Sequence, residues 1–503
     1  MHRLLLTAAA VVVSVTQAAD ADTATRLVQF EDCMTTATFA DIDQSATIVE
    51  LDADANFFVN SSSHYADYAT GPKDRIQRKP AGVFFARSED QVVRAVQCAV
   101  ASDLAPVPRS GGHSYEVLSS MDGSLVIDIA EMNAVTVVEE NEADGTAIAT
   151  VEGGTRLGRL YLELDRQGGY SFSAGTCPGV GIGGHISGGG YGMSSRHYGL
   201  AADLTTELRV VLYNGTIVTA NAEQHCELFW AIRGGGAGSF GIVTLFTVQV
   251  HKIPEVAVFH LHFAPQFNFE LIRAWMDFFP TADSRVTTQL NVGKGETRLI
   301  GQFIGSQAEA EAMLNASGLL DIPDAVTSDV RRYNCTALGA KAFVDQGDCD
   351  AVAALNVSEH LTLANKDYTR IRGGYAVSDM SNDGVNTVVE WANLQPNTTW
   401  AFIQFESYGG VFATQANDFT PWNHRDAKDE PETSPAYQWI DGILDALTSH
   451  LDGGNYQNYC DLALGDDYGE RYWGADNFER LKQTKSVYDP DDVFHSAQSV
   501  PLA

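Results

Sequence analysis

The sequence predicts an α+β chain of two domains with a C-terminal segment that folds back on the first. Three observations predict it. A strand–helix–strand run opens at Lys79. Glycine, at 45 residues, is concentrated in 175–192 and 234–241 rather than spread. After about Pro254 the glycine thins, and amphipathic segments alternate with strands. A length of 503 residues makes more than one core the expectation. A hydrophobic fraction of 45% with 19% charged residues is ordinary globular composition.

The elements follow in order. "GVFFA" reads as a buried strand. "SEDQVVRAVQCAVAS" opens on a Ser N-cap, carries acids in its first turn and repeats its apolar residues at helical spacing, and "APVPR" is the next strand. Together they make a βαβ unit. "SLVIDI", "VTVV" and "AIATVEGG" are further strands, and "LGRLYLELDRQG" is a helix. "LTTELRVVLYNGTIVTA" is a hairpin with Asn-Gly at its turn. "QHCELFWAIRGGG" is a short helix ending in a glycine loop that leads to a strand. Beyond Pro254, "ELIRAWMDFFP" and "SQAEAEAMLNAS" read as helices, and "VTTQLNVG", "TRLIGQFIG" and "TWAFIQFESYGG" as strands of an antiparallel sheet with helices on one face. The expected division is 1–19 leader, 20–253 first domain, 254–452 second domain and 453–503 returning segment.

The leader expectation rests on Arg3, an apolar run from Leu4 to Val15, and small residues at Ala18, Ala19 and Ala21. That is the pattern of a secretory signal peptide, too short to span a bilayer. In an oxidising compartment, Cys33 and Cys98 can staple the N-terminus, and Cys335 and Cys349 can close a short loop. The remaining three of the seven cysteines are Cys177, Cys226 and Cys460; the last two read as inert thiols. Sequons at Asn60, Asn214, Asn315, Asn334, Asn356 and Asn397 fit a secreted glycoprotein. A net charge of −33, from 65 acids and 32 bases, argues against nucleic acid and anionic membranes as partners.

The chemistry lies in the glycine clusters. Gly179–Gly184 and Gly236–Gly241 both match G-x-G-x-x-G. Neither has the strand-before, helix-within context of a Rossmann dinucleotide site: the first runs on into more glycine and the second feeds a strand. "RSGGHSY", Arg109 to Tyr115, and "GTCPGVGIGGHISGGGYG", Gly175 to Gly192, instead read as two loops whose backbone N–H groups form a nest for a pyrophosphate. His113 and Cys177 stand at the two rims of that site as candidate nucleophiles.

Those two stretches, with "LFWAIRGGG" and "NYQNYCD…YDPDDVF", resemble the berberine bridge enzyme-like oxidases of the vanillyl-alcohol oxidase superfamily, and within it the secreted oligosaccharide oxidases. The resemblance covers almost the whole mature chain. It implies a vanillyl-alcohol oxidase-type FAD-binding domain and a substrate domain. It implies FAD bonded to His113 through its 8α-methyl group and to Cys177 through C6. Arg109, Ser110, Gly111, Gly112, Ser114, Gly175, Thr176, Val180, Gly181, Gly183, Gly184, His185, Gly188, Gly189, Ile242 and Asn458 complete the expected cofactor contacts. Val180 stands where that family controls access of oxygen to the flavin, and valine there implies an oxidase that makes H2O2.

The resemblance also places a catalytic base on Tyr459 of "NYCD", with a carboxylate from "WAFIQFESYGG" beside it. On a strand, Phe402, Gln404 and Glu406 share a face, so Glu406 is the candidate; the family usually has Asp there, one methylene shorter. Tyr115, Tyr191 and Tyr456 match or neighbour active-site tyrosines, and Gln289, Asn291 and Gln404 are candidate sugar contacts. The expected activity is oxidation of the anomeric C1 hydroxyl of mono- or oligosaccharides to a lactone by a monomer that uses O2 and holds no metal. The alternatives are a flavin oxidase of alkaloids or phenolic alcohols, and a flavoprotein that only binds.

Overall fold

The computed structural model describes residues 21–35, 57–59, 62, 65–69, 75–236, 238–253, 255–357, 370–375, 380–396, 401–421, 429–433 and 437–503. The signal-peptide segment and the sequons at Asn60 and Asn397 lie outside the described residues.

Three sheets follow one another along the chain. The first holds β1 (Phe57–Val59), β2 (Gly82–Phe85), β3 (Pro106–Arg109) and β4 (Leu125–Asp128) in the order β1-β2-β4-β3. Strands β2 and β3 both pair β4 in parallel, so the predicted βαβ unit is present with β4 inserted between its strands. Its helix, Glu89–Ala101, is capped by Ser88, whose side chain accepts from the Gln91 N–H, and it buries Val92, Val93 and Val96 against the sheet. A disulfide from Cys98 to Cys33 pins the helix Ala21–Thr35 to it.

The second sheet is antiparallel: β5 (Val135–Asn141), β6 (Thr146–Glu152), β7 (Tyr170–Ser171), β8 (Thr205–Val211), β9 (Ile217–Asn221) and β10 (Ile242–Lys252). Its order is β5-β6-β10-β8-β9, with β7 also on β10. The predicted β8–β9 hairpin forms, but on a longer loop than a two-residue Asn-Gly turn. The Leu212 N–H bonds the Thr216 carbonyl, and Asn214 Oδ1 accepts from the Thr216 N–H. The helix Leu157–Arg166 lays Leu157, Leu160, Tyr161 and Leu164 on this sheet. The C-terminal residues close the same core with Tyr472, Trp473, Leu481 and Val500. Lys485, fully buried in the helix Ala475–Tyr488, pairs with Asp489 and donates to the carbonyls of Ser239 and Phe494.

The third sheet, also antiparallel, holds β11 (Val256–Phe263), β12 (Val286–Val292), β13 (Thr297–Ile304), β14 (Val326–Cys335), β15 (Ile403–Ser407) and β16 (Asp429–Thr433) in the order β14-β11-β13-β12-β15-β16. One face packs Phe259, Leu261, Leu290, Leu299 and Phe405 against helices Asn268–Phe278, Gln307–Ala316, Asn382–Asn393 and Tyr437–Leu447. The alternation of a strand sends the next residues the other way. Val256 and Val258 therefore meet Ala340 and Phe343 of one further helix, Ala337–Gln346, on the opposite face. A disulfide joins Cys335 and Cys349 at its ends.

Candidate active site

A groove of about 260 Å³ runs between the first two sheets and the C-terminal segment. Its wall takes in residues 109–115, Gly175–Cys177, Val180, Gly181, Gly183, Gly184 and His185, Ile242, and Tyr456 to Cys460. The two glycine loops meet along it. A Cβ on Gly111 would lie 2.2 Å from the Gly181 nitrogen, and one on Gly179 would lie 2.8 Å from His113 Nε2. No side chain fits between backbones so close. Gly184 behaves differently: a Cβ there would meet nothing within 4 Å, so glycine at this point of the wall keeps the groove clear. Gly183 and Gly184 sit in a short helix, Ile182–Ser187. A helix thus opens inside the first G-x-G-x-x-G match, where the sequence reading expected only more loop. The matches still lack the strand-then-helix order of a Rossmann turn.

An anionic, elongated cofactor with a pyrophosphate fits this wall. The donors on offer are backbone N–H groups and the hydroxyl of Ser114, with few cationic side chains; the Ser110 hydroxyl is spent on the Gly153 carbonyl at 2.7 Å. His113 is half-buried and Cys177 exposed, and both line the groove.

Several expected cofactor residues act on the wall rather than in the groove. The guanidinium of Arg109 pairs with Asp128 on the neighbouring strand and bonds the Tyr68 carbonyl, so only its backbone faces the groove. Gly188 and Gly189 lie off the lining; a Cβ on Gly188 would lie 2.0 Å from Asn458 Oδ1. Asn458 itself donates to the His185 carbonyl at 3.0 Å and to the Tyr456 hydroxyl at 3.0 Å, bracing the end of the short helix. His185 accepts the Gly175 N–H at Nε2, 3.0 Å away. Burial, and then the charge of Lys341, push its pKa down to about 3, so it is neutral. Lys341 reaches over from the helix Ala337–Gln346 to donate to the Ala174 carbonyl at 3.0 Å, and burial pushes its pKa down to about 7.

The expected catalytic pair belongs to two different elements. Strands β12 and β15 are in register with Gln289 opposite Glu406 and Asn291 opposite Gln404. Residues directly opposite on paired strands share a face. Leu290 and Phe405 therefore go to the core, and the four polar residues face the other way. Glu406 is 1% exposed. Its Oε1 accepts from Gln289 Nε2 at 2.8 Å, from Gln404 Nε2 at 3.0 Å and from the Tyr459 hydroxyl at 3.4 Å; its Oε2 accepts from the Tyr408 hydroxyl at 3.4 Å. Burial raises the Glu406 pKa to about 7 against the opposing pull of those donors. Gln289 and Gln404, expected to hold sugar hydroxyls, thus point their amide nitrogens at the carboxylate. Asn291 is buried beside them with an Oδ1 that has no hydrogen-bond partner.

Tyr459 lies on the groove wall, half-buried, with its ring 6.2 Å from Tyr115 and 4.9 Å from Tyr456. Tyr456, expected at the substrate, is almost fully buried. Its hydroxyl accepts the N–H groups of Gly190 at 3.1 Å and Tyr191 at 3.0 Å, which fixes the chain after the second glycine loop. Tyr191 donates to the Ser407 carbonyl at 2.9 Å and so ties that loop to β15. Sequence reasoning missed Tyr408, Gln457, Cys460 and the segment at His495 and Ser496. Tyr408 lies two residues after Glu406, just past the end of its strand; the others fall in short turns and loops with no repeating pattern to mark them. Cys460 is buried, its Sγ 3.3 Å from Ser114 Oγ, and burial raises its pKa; Cys226 is exposed.

An FAD binding domain family matches residues 80–221, and a "berberine and berberine like" family matches residues 455–501. The FAD-linked oxidoreductase pynB of Aspergillus niger is 28% identical over 91% of this chain and 91% of its own length. The glucooligosaccharide oxidase of Sarocladium strictum is 28% identical over 90% of this chain and 93% of its own. Among solved structures, wild-type BBE-like 1 of Physcomitrella patens superposes with a TM-score of 0.80 at 27% identity, covering 89% of this chain and 97% of that one. With the groove built as described, this chain carries an FAD binding domain and a berberine-like C-terminal segment, and over about nine-tenths of its length it is similar to berberine bridge enzyme-like FAD-linked oxidoreductases.

Proposed function

We propose that the chain is a secreted, monomeric FAD oxidase of the anomeric carbon of mono- or oligosaccharides. In this reading FAD is held covalently by His113 and Cys177, and residues 20–253 and 453–503 form its domain while 254–452 form the substrate domain. The observation that carries the reading is Glu406: a carboxylate 1% exposed, contacted by four polar side chains, one of them the groove-lining Tyr459. The flavin, when bound, supplies the acceptor for a hydride. Tyr459 takes the proton of the C1 hydroxyl as its own phenolic proton passes along their hydrogen bond to ionised Glu406, which ends protonated. Removing hydroxyl proton and C1 hydride together yields the lactone. Val180, on the groove wall, leaves room for O2, which ends as H2O2. The likeness to a glucooligosaccharide oxidase supports the sugar class.

Four tyrosines, Tyr115, Tyr191, Tyr456 and Tyr459, line the groove and favour a second reading, an aromatic alcohol or alkaloid as substrate. Anaerobic bleaching of the flavin separates the two. Bleaching by cello-, chito- or xylo-oligosaccharides, with peroxide on admitting air, supports the first. Bleaching by aromatic alcohols alone overturns it.

A further inference from the structure

Arg156 stands in a position that opposes its own helix. It is the N-cap of the helix Leu157–Arg166, yet its side chain makes no cap hydrogen bond. N-caps favour Ser, Thr, Asp or Asn, and the positive end of a helix dipole disfavours a cation. The residue is 5% exposed. Its Nη1 donates to the Gly111 carbonyl at 3.1 Å and also to the Gly179 carbonyl. Gly111 lies two residues before His113, and Gly179 two residues after Cys177. A single nitrogen therefore bonds both loops that carry the proposed flavin anchors. The backbone beside it is zipped to the Cys177 loop: the Leu157 N–H bonds the Val180 carbonyl at 2.9 Å, Gly158 N–H that of Pro178 at 3.0 Å, and Ile182 N–H that of Thr155 at 2.8 Å. The helix thus holds the Cys177 loop by its backbone. Arg156 extends that hold to the His113 loop, beside the bond from the Ser110 hydroxyl to the Gly153 carbonyl at 2.7 Å.

We propose that Arg156 is a positioning residue that fixes the spacing of the two anchor loops and so controls formation of the second covalent bond, at Cys177. The proposal rests on the reading that His113 and Cys177 are both anchors. Forming the Cys177 bond joins Sγ to ring carbon C6. The thiol and ring hydrogens leave as two protons, the electron pair stays with the flavin, and O2 takes both, giving H2O2. That step depends on the alignment of Sγ with one ring carbon. The His113 bond, made to a methyl group outside the ring system, tolerates a loosened loop better.

The test is the ratio of singly to doubly linked flavopeptide, read by mass spectrometry on the purified holoprotein, with alkylation of unlinked Cys177 as a cross-check. Doubly linked flavin in the unmodified protein is the starting condition. If Cys177 carries no flavin there, the anchor reading fails before any variant is made, and this proposal fails with it. Arg156→Gln raises the ratio about tenfold or more, because ångström-scale misplacement of reacting atoms costs up to about a hundredfold in rate. Arg156→Lys, which keeps a cation able to donate to both carbonyls, restores most of the double linkage. An unchanged ratio in Arg156→Gln overturns the proposal. So does a parallel loss of both bonds that Arg156→Lys leaves uncorrected, since that marks general destabilisation. If Arg156→Gln does not accumulate, Arg156→Met, which keeps the length of the side chain without its donors, must raise the same ratio. An unchanged ratio there is equally fatal.

Discussion

The groove and the β12–β15 patch meet at Tyr459 but are built from opposite materials. The groove is made of backbone: loops 109–115 and 175–184 touch where a Cβ has no room, and the charged Arg109 is turned away to Asp128. The patch is made of side chains: two glutamines, an asparagine and a carboxylate on an antiparallel sheet, with the phenols of Tyr408 and Tyr459 against the carboxylate. A backbone site depends on positions where any side chain would part the loops. A side-chain site can change its substrate without disturbing the fold. The difference teaches where tolerance to substitution lies, and it can be broken by experiment.

The largest effect is expected from Gly111→Val. Its Cβ would press on the Gly181 nitrogen at 2.2 Å, so the loops must part, and FAD content in purified protein falls to near zero. Full flavin loading of this variant would dissolve the contrast. Tyr459→Phe removes one hydroxyl from the wall and leaves flavin content intact. Anaerobic flavin reduction slows by about 10²- to 10⁴-fold, the usual contribution of a general base. A loss below about threefold removes Tyr459 from that role.

Glu406→Gln is expected to slow flavin reduction about 10²-fold, the lower end of the usual general-base contribution, and to abolish a pH dependence. In the unmodified protein the reduction rate rises with pH through about 7, as Glu406 ionises; the variant shows no such rise. Stability moves the other way. Because the folded protein holds this acid above its ordinary value of 4.5, folding loses free energy as pH rises from about 4.5 to about 7. The variant should match the parent in denaturant midpoint near pH 4 and exceed it at pH 8. Gln404→Leu is the mildest change. It removes one donor to the anion, so the midpoint of the rate profile moves up by about one pH unit, the worth of one hydrogen bond to a charged group. A downward move would mean that Gln404 does not stabilise the ionised form.

The two regions also differed in how far the sequence revealed them. The groove was legible because glycines that admit no Cβ leave a mark in composition, and His113 and Cys177 stand within those clusters. The βαβ unit and the capped helices at Ser88 and Ser306 were legible for the same local reason. The patch was only half legible. Period-two alternation puts Gln404 and Glu406 on one face, but that Gln289 sits opposite Glu406 is a fact of register between strands over a hundred residues apart, which no local pattern states. The fate of Arg109 was misread because a loop arginine beside a phosphate nest looks like a ligand until its buried partner, Asp128, is known. The stretch between Cys335 and Cys349 was read as a loop, and helices were expected on one face of the third sheet alone; it forms the helix Ala337–Gln346, which covers the other face through Ala340 and Phe343.

The groove draws its wall from residues as far apart as Val107 and Ser496, and Lys341 reaches under it from the helix Ala337–Gln346 to the Ala174 carbonyl. No partial chain owns the whole pocket. The wall is whole only once the segment through Ser496 has folded back onto the first two sheets. A yellow molecule is therefore one whose distant segments have met, and colour counts folded chains in a way that the amount of polypeptide does not.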